Sequence, residues 1–178
     1  MRLVVSMLCA LASAAPLPAL ATTQVRDQAV VEGAKGSVYG MVPDVPFVST
    51  HWRVTRPHPD PESDAAFARL QPYLRPGMSC SAAARGYNAT WEVRGDKLWL
   101  VRLTFDPCGD APPVPISVLF PDATDGAFAG WASGKLIVTI GPWTRDVGAH
   151  AHVDAYWEIV VDKGVVVSRE RIAKPFRL

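Results

Sequence analysis

Two imidazoles and a carboxylate recur at every second position in His150, His152 and Asp154. Side chains on a β-strand alternate between faces, so this set would point one way and offer the nitrogen and oxygen donors that zinc or another divalent metal takes. The simpler reading is a wet strand face, opposite Ala149, Ala151, Val153 and Ala155. Nucleophilic chemistry has less to work with. Ser133 stands in Ala-Ser-Gly-Lys, which lacks the glycines and following helix of a G-x-S-x-G elbow or a phosphate loop, and it reads as a turn residue. Glu92 and Glu158 are available as a glycosidase-type carboxylate pair, but their neighbours make each a member of a solvated strand face. No cofactor is implied by any spacing in the chain.

Binding residues stand out more than catalytic ones. Trp143 lies in Gly-Pro-Trp-Thr-Arg-Asp, beside Arg145. A loop tryptophan next to an arginine combines the two residue types enriched at binding hot spots. Trp99 and Arg85 are further candidates for the same kind of surface. The competing readings are a tryptophan that plugs the open end of a sheet and an arginine that caps local carbonyls. The partner implied is another protein or a component of the cell envelope.

These residues are positioned by β-structure. Tyr87 to Phe105 predicts a hairpin: Ala89, Trp91 and Val93 alternate with polar residues, and Gly95-Asp96 supplies a two-residue turn. Its second strand, with Leu98 and Leu100 on one face and Trp99, Val101 and Leu103 on the other, reads as covered on both sides. Residues 22–45 hold several glycines and little periodicity, which predicts a loosely ordered arm with at most a short strand near Ser37 to Met41. Phe47 to Thr55 predicts a strand with Trp52 inward. Asp60 and Pro61 open a short helix to Leu74, with an end or kink near Gln71 because Pro72 falls inside it. Ile116 to Phe120 predicts a short strand. Phe128 to Ile140 predicts a second hairpin around Ser133-Gly134-Lys135, and Ala151 to Ile172 a third around Asp162-Lys163-Gly164. The fold expected is mainly β: an antiparallel meander of about seven or eight strands in a curved sheet or open barrel, with one short helix. Residues 46–178 form its single domain.

The start of the chain predicts a compartment. Arg2, the apolar run Leu3 to Leu11 and Ala19-Leu20-Ala21 have the order of a secretory signal peptide ending at residue 21. Pro16 and Pro18 interrupt the run before it reaches the roughly 20 residues of a spanning helix, and no later stretch is long enough to be transmembrane. Of 18 basic residues Arg2 alone lies in that segment, so the remainder carries 17 basic against 17 acidic residues. This balance argues against nucleic acid and against a polybasic membrane surface as partners. Cys9 leaves with the signal, and Cys80 and Cys108 remain as an even pair bracketing the central hairpin. In a periplasmic or secreted protein they predict a disulfide worth about 3–4 kcal/mol on the chain-entropy model.

Arg85-Gly86-Tyr87-x-Ala89-x-Trp91, then Leu98-x-Leu100, Leu119-Phe120-Pro121 and Ala129-x-Trp131-x-Ser133-Gly134-x-Leu136, resembles a pattern of small uncharacterised bacterial secreted proteins. It covers about the central third of the chain. The resemblance implies a bacterial origin and supports the strand order, and it brings no assigned activity. The function expected is a non-catalytic binding or interaction protein, of the inhibitor, immunity or envelope accessory type. The alternative is a small metal-dependent or hydrolytic enzyme using His150, His152 and Asp154.

Overall fold

A computed structural model describes residues 24–40, 43–46, 48, 61–74, 80, 82–83, 85–105, 107–145 and 151–177. Its strands are β1 (Gln28–Val31), β2 (Ala34–Gly40), β3 (Tyr87–Arg94), β4 (Lys97–Phe105), β5 (Ala127–Phe128), β6 (Gly134–Ile140), β7 (Thr144–Arg145), β8 (Ala151–Val153), β9 (Ala155–Asp162), β10 (Val165–Ile172) and β11 (Phe176–Arg177), with one helix, α1 (Pro61–Leu70), after β2. The main sheet runs β10-β9-β6-β2-β1-β3-β4-β5, and β10 returns to β4 at Val165 and Lys97. Seven strands therefore form a ring, and β5 is an extra strand on β4. A small second sheet, β11-β8-β7, lies apart from this order.

The mainly β fold with one short helix is the one expected, with one change of sense: β1 runs parallel to β3, so the sheet is mixed. The central hairpin pairs Tyr87 with Phe105 and Arg94 with Lys97, and Gly95 takes φ 61° at its turn. An extra residue in β4 near Thr90 and Trp91 shifts the register by one. This explains why Leu98 and Leu100 face inward with Leu103 and Phe105, although their parities differ. The third hairpin joins β9 to β10 through Lys163-Gly164, both with positive φ.

The segment read as a loose arm is a hairpin inside the sheet. β1 lies between β2 and β3, and β2 pairs in turn with β6. The glycines taken as looseness have specific uses. Glu32-Gly33 makes the turn, both with positive φ. A Cβ on Gly36 would fall 1.8 Å from the carbonyl oxygen of Thr139, so only glycine lets β2 approach β6 that closely.

Two other expectations are corrected. The second hairpin does not form: β5 pairs with β4, and β6 pairs with β2 and β9. Ile116 to Val118 is a 3-10 turn instead of a strand. The helix ends at Leu70 and passes into a 3-10 turn at Gln71–Tyr73, as Pro72 requires. The predicted strand Phe47 to Thr55 and the predicted signal peptide lie outside the described residues, save Val48.

Inside the ring, Trp91, Leu98, Leu100, Leu103, Leu136 and Ile159 are completely or almost completely buried in one cluster. The barrel is a packed core. Among the described residues no helix is long and apolar enough to cross a membrane.

Candidate functional site

Asp27, just before β1, is one of the few buried polar residues of the described chain. Its carboxylate receives three donors from the protein. Oδ1 accepts the Ala89 N–H at 3.0 Å and meets Arg85 Nη2 at 2.5 Å, while Oδ2 accepts Trp91 Nε1–H at 2.8 Å. Arg85 Nη1 also donates to the carbonyl of Pro43 at 3.2 Å and to the Tyr87 hydroxyl at 3.3 Å. The Val45 N–H donates to the same hydroxyl at 3.0 Å. Burial is the main reason the Tyr87 phenol is pushed up to about 12, with the Val45 hydrogen bond and the Arg85 charge partly opposing it. The phenol stays neutral. Arg85 is held above its ordinary value because the charge and hydrogen bond of Asp27 outweigh the larger single effect of its own burial.

This network accounts for Arg85-Gly86-Tyr87-x-Ala89-x-Trp91. Each of the four non-glycine residues touches Asp27 or the hydroxyl beside it. A buried carboxylate that accepts two donors from the β3 strand and pairs with an arginine is held by the protein itself, so the cluster is a lock that ties β1 to β3. The sequence reading missed Asp27, and the signal that could have found it was a donor-rich strand face with no acidic partner of its own. Arg85 belongs to this lock.

Trp99 lies elsewhere, on the outer face of β4. It meets Phe128 edge-to-face at 5.9 Å between centroids, and the Arg94 guanidinium lies 5.4 Å from its ring centre. Arg94 is fixed by Glu92, at 2.8 Å from both Nε and Nη2, and by Asp125 at 3.1 Å. Trp99, Phe128, Phe120, Leu119 and Asp122 line an open groove of about 460 Å³. Phe120 lies flat on Trp131 with centroids 5.1 Å apart. Leu119-Phe120-Pro121 and Ala129-x-Trp131 thus build one wall of this groove and its backing.

Trp143 immediately precedes β7 and packs against Tyr39 at 5.7 Å and Phe176 at 6.3 Å, with Tyr39 and Phe176 at 5.1 Å. It is half-buried, and the cluster joins the small sheet to the barrel. Arg145 pairs with Ala151 across β7 and β8. Trp143, Trp99 and Arg85 therefore occupy three separate environments.

Of the possible metal ligands, His150 lies outside the described residues. His152 on β8 and Asp154 in the bend after it approach to 3.5 Å, with the histidine mostly buried and the carboxylate 87% exposed. Among the described residues no group of three His, Cys, Asp or Glu side chains could hold a metal ion. Ser133 braces a turn, accepting the Lys163 N–H at 2.8 Å. Glu158 pairs with Lys135 at 3.1 Å, far from the Glu92–Arg94 pair in the strand order. Cys80 and Cys108 are bonded, with Cα atoms 5.5 Å apart.

No protein-family model matches the chain, and no curated protein or solved structure matches it.

Proposed function

We propose that this is a non-catalytic binding protein of the bacterial periplasm or exterior, acting through the outer groove around Trp99. One observation carries the reading: the barrel interior is filled by side chains, whereas aromatic rings flanked by fixed charges line an open groove on its outside. Large stiff rings beside charged groups supply contact area at low conformational cost, which suits a surface that binds another protein or an envelope component. The disulfide is compatible with an oxidising compartment. The signal-like N-terminus supports the same location.

The test compares immobilised wild type with a Trp99→Ala/Phe128→Ala variant in envelope extract, both checked for folding by thermal melting. The expected outcome is a component retained by the wild type and lost from the folded variant. Equal retention by both would remove the groove from the binding face.

A further inference from the structure

The ring closes through very little of β10. Val165 pairs with Lys97, the Val166 N–H donates to the Asp96 carbonyl at 2.7 Å, and the Leu98 N–H donates to the Gly164 carbonyl at 2.8 Å. Beyond that the β4 edge is taken by others: Phe128 and Ala127 of β5 pair with Trp99 and Leu100, and Val114 bridges to Leu103. Val167 is an extra residue in the β9–β10 ladder, 60% exposed, and from Ser168 to Ile172 the strand pairs with β9 on one side. On its other side no strand pairs with it among the described residues.

That edge carries Arg169-Glu170-Arg171. Residues directly opposite in an antiparallel ladder share a face, so Arg169 and Arg171 lie on the face of Ile159 and Trp157, and Glu170 lies beside Glu158. Glu158 already holds Lys135, while Glu170 gains a like-charged neighbour. A second copy of this strand does not relieve the pattern while the two charged triplets face each other. Two identical antiparallel strands are related by a two-fold axis normal to the sheet, which keeps each residue on its own face and so pairs only positions of the same parity. Centring that axis on position 169, 170 or 171 sets Arg169 against itself, Arg169 against Arg171 with Glu170 against itself, or Arg171 against itself. Each arrangement places like charges directly opposite, which is destabilising. In these three registers the charged triplet opposes its own kind, so self-pairing is disfavoured in each of them, a device by which exposed edges in natural sheets are guarded.

A different strand can carry complementary charges at all three positions, with its carboxylate at Arg169 competing against Glu32, which lies 3.5 Å from that guanidinium. We propose that Val167–Ile172 of β10 is a strand-addition site for an extended peptide segment with acidic side chains two residues apart and a basic one between them. Backbone hydrogen bonds would supply the affinity, while carboxylates opposite Arg169 and Arg171 and an ammonium opposite Glu170 would set the register. Because the acid-base-acid pattern reads the same in both directions, it fits a parallel or an antiparallel guest. The site is separate from the groove around Trp99 and does not depend on it.

The probe is the blocked peptide Thr-Val-Glu-Lys-Glu-Val-Thr, with Thr-Val-Lys-Glu-Lys-Val-Thr as its charge-reversed control. Titration calorimetry at low salt should show the first binding about tenfold or more tightly than the second. The triple variant Arg169→Glu/Glu170→Lys/Arg171→Glu should reverse the preference. Hydrogen exchange should show new protection at those amides of residues 167–172 that point away from β9, and only when the matching peptide is present. Equal binding of the two peptides, or binding without that protection, would reduce the effect to general charge attraction and overturn the proposal. No binding by either peptide would also overturn it, as would protection, in the free protein, of the amides that point away from β9.

Discussion

Asp27 is the residue on which most of the polar structure depends. Its two oxygens receive Ala89, Trp91 and Arg85, and among the described residues Arg85 alone of these donors has further acceptors, in the Pro43 carbonyl and the Tyr87 hydroxyl. Asp27→Asn keeps the shape but removes the charge and turns one acceptor into a donor facing donors. Loss of about 3 kcal/mol is expected in denaturant unfolding, at the low end for a broken buried pair because Arg85 keeps some contact with water. A variant as stable as wild type would show that the lock holds nothing. Tyr87 gives a pH signature. Its folded value of about 12 lies above the ordinary 10.0, so the folded protein holds the phenolic proton more tightly than the unfolded chain. That contribution is whole below pH 10 and is lost as pH rises through 12, on the order of 2 kcal/mol over the interval. Tyr87→Phe should flatten this part of the alkaline stability curve, while lowering stability at neutral pH because the Val45 N–H loses its acceptor.

Among the elements, the central hairpin was the most legible, because alternation, a glycine turn and flanking cysteines all agree on one local structure. The N-terminal hairpin was the least. β1 is short, β2 holds two glycines among its seven residues, and what fixes them is remote: the Ser37 N–H reaches Thr139 Oγ1 and the Ala89 N–H reaches Asp27. Periodicity within a window carries no trace of such partners. The false hairpin at residues 128–140 has the same origin, since Ser133-Gly134 makes a turn, but the strands on its two sides pair with β4, β2 and β9. At the site, Trp99 and the cysteines were recognisable by type and position, whereas the Trp143 cluster depends on Tyr39 and Phe176 from opposite ends of the chain. The disulfide is an element-scale restraint. Cys80 lies on the segment that carries Arg85 toward Asp27, and the Ala82 carbonyl of that segment accepts the Val25 N–H at 2.7 Å. A Cys80→Ser/Cys108→Ser variant should lose about 3–4 kcal/mol for the 28-residue separation. Thiol titration of unfolded, unreduced wild type should find no free thiol from this pair.

At the scale of the whole molecule, the barrel is a ring whose neighbours in space are distant in sequence. β1 and β2 are made early, yet their outer neighbours are β3 and β6, and Ser37 and Thr139 are 102 positions apart. The ring itself is joined only where Val165 meets Lys97. A chain emerging from the ribosome can assemble the central hairpin as soon as Phe105 is free, but no closed ring exists before residue 165 has appeared. Contacts of long sequence separation fold slowly, because the loop-closure entropy is lost before the contact is gained. Until β6 has been made the N-terminal hairpin lacks one wall, and until β10 has been made the sheet is an open ribbon. The barrel is thus a clasp whose catch lies on the last of its seven ring strands, so β4 and β9 wait on that one for their final neighbour.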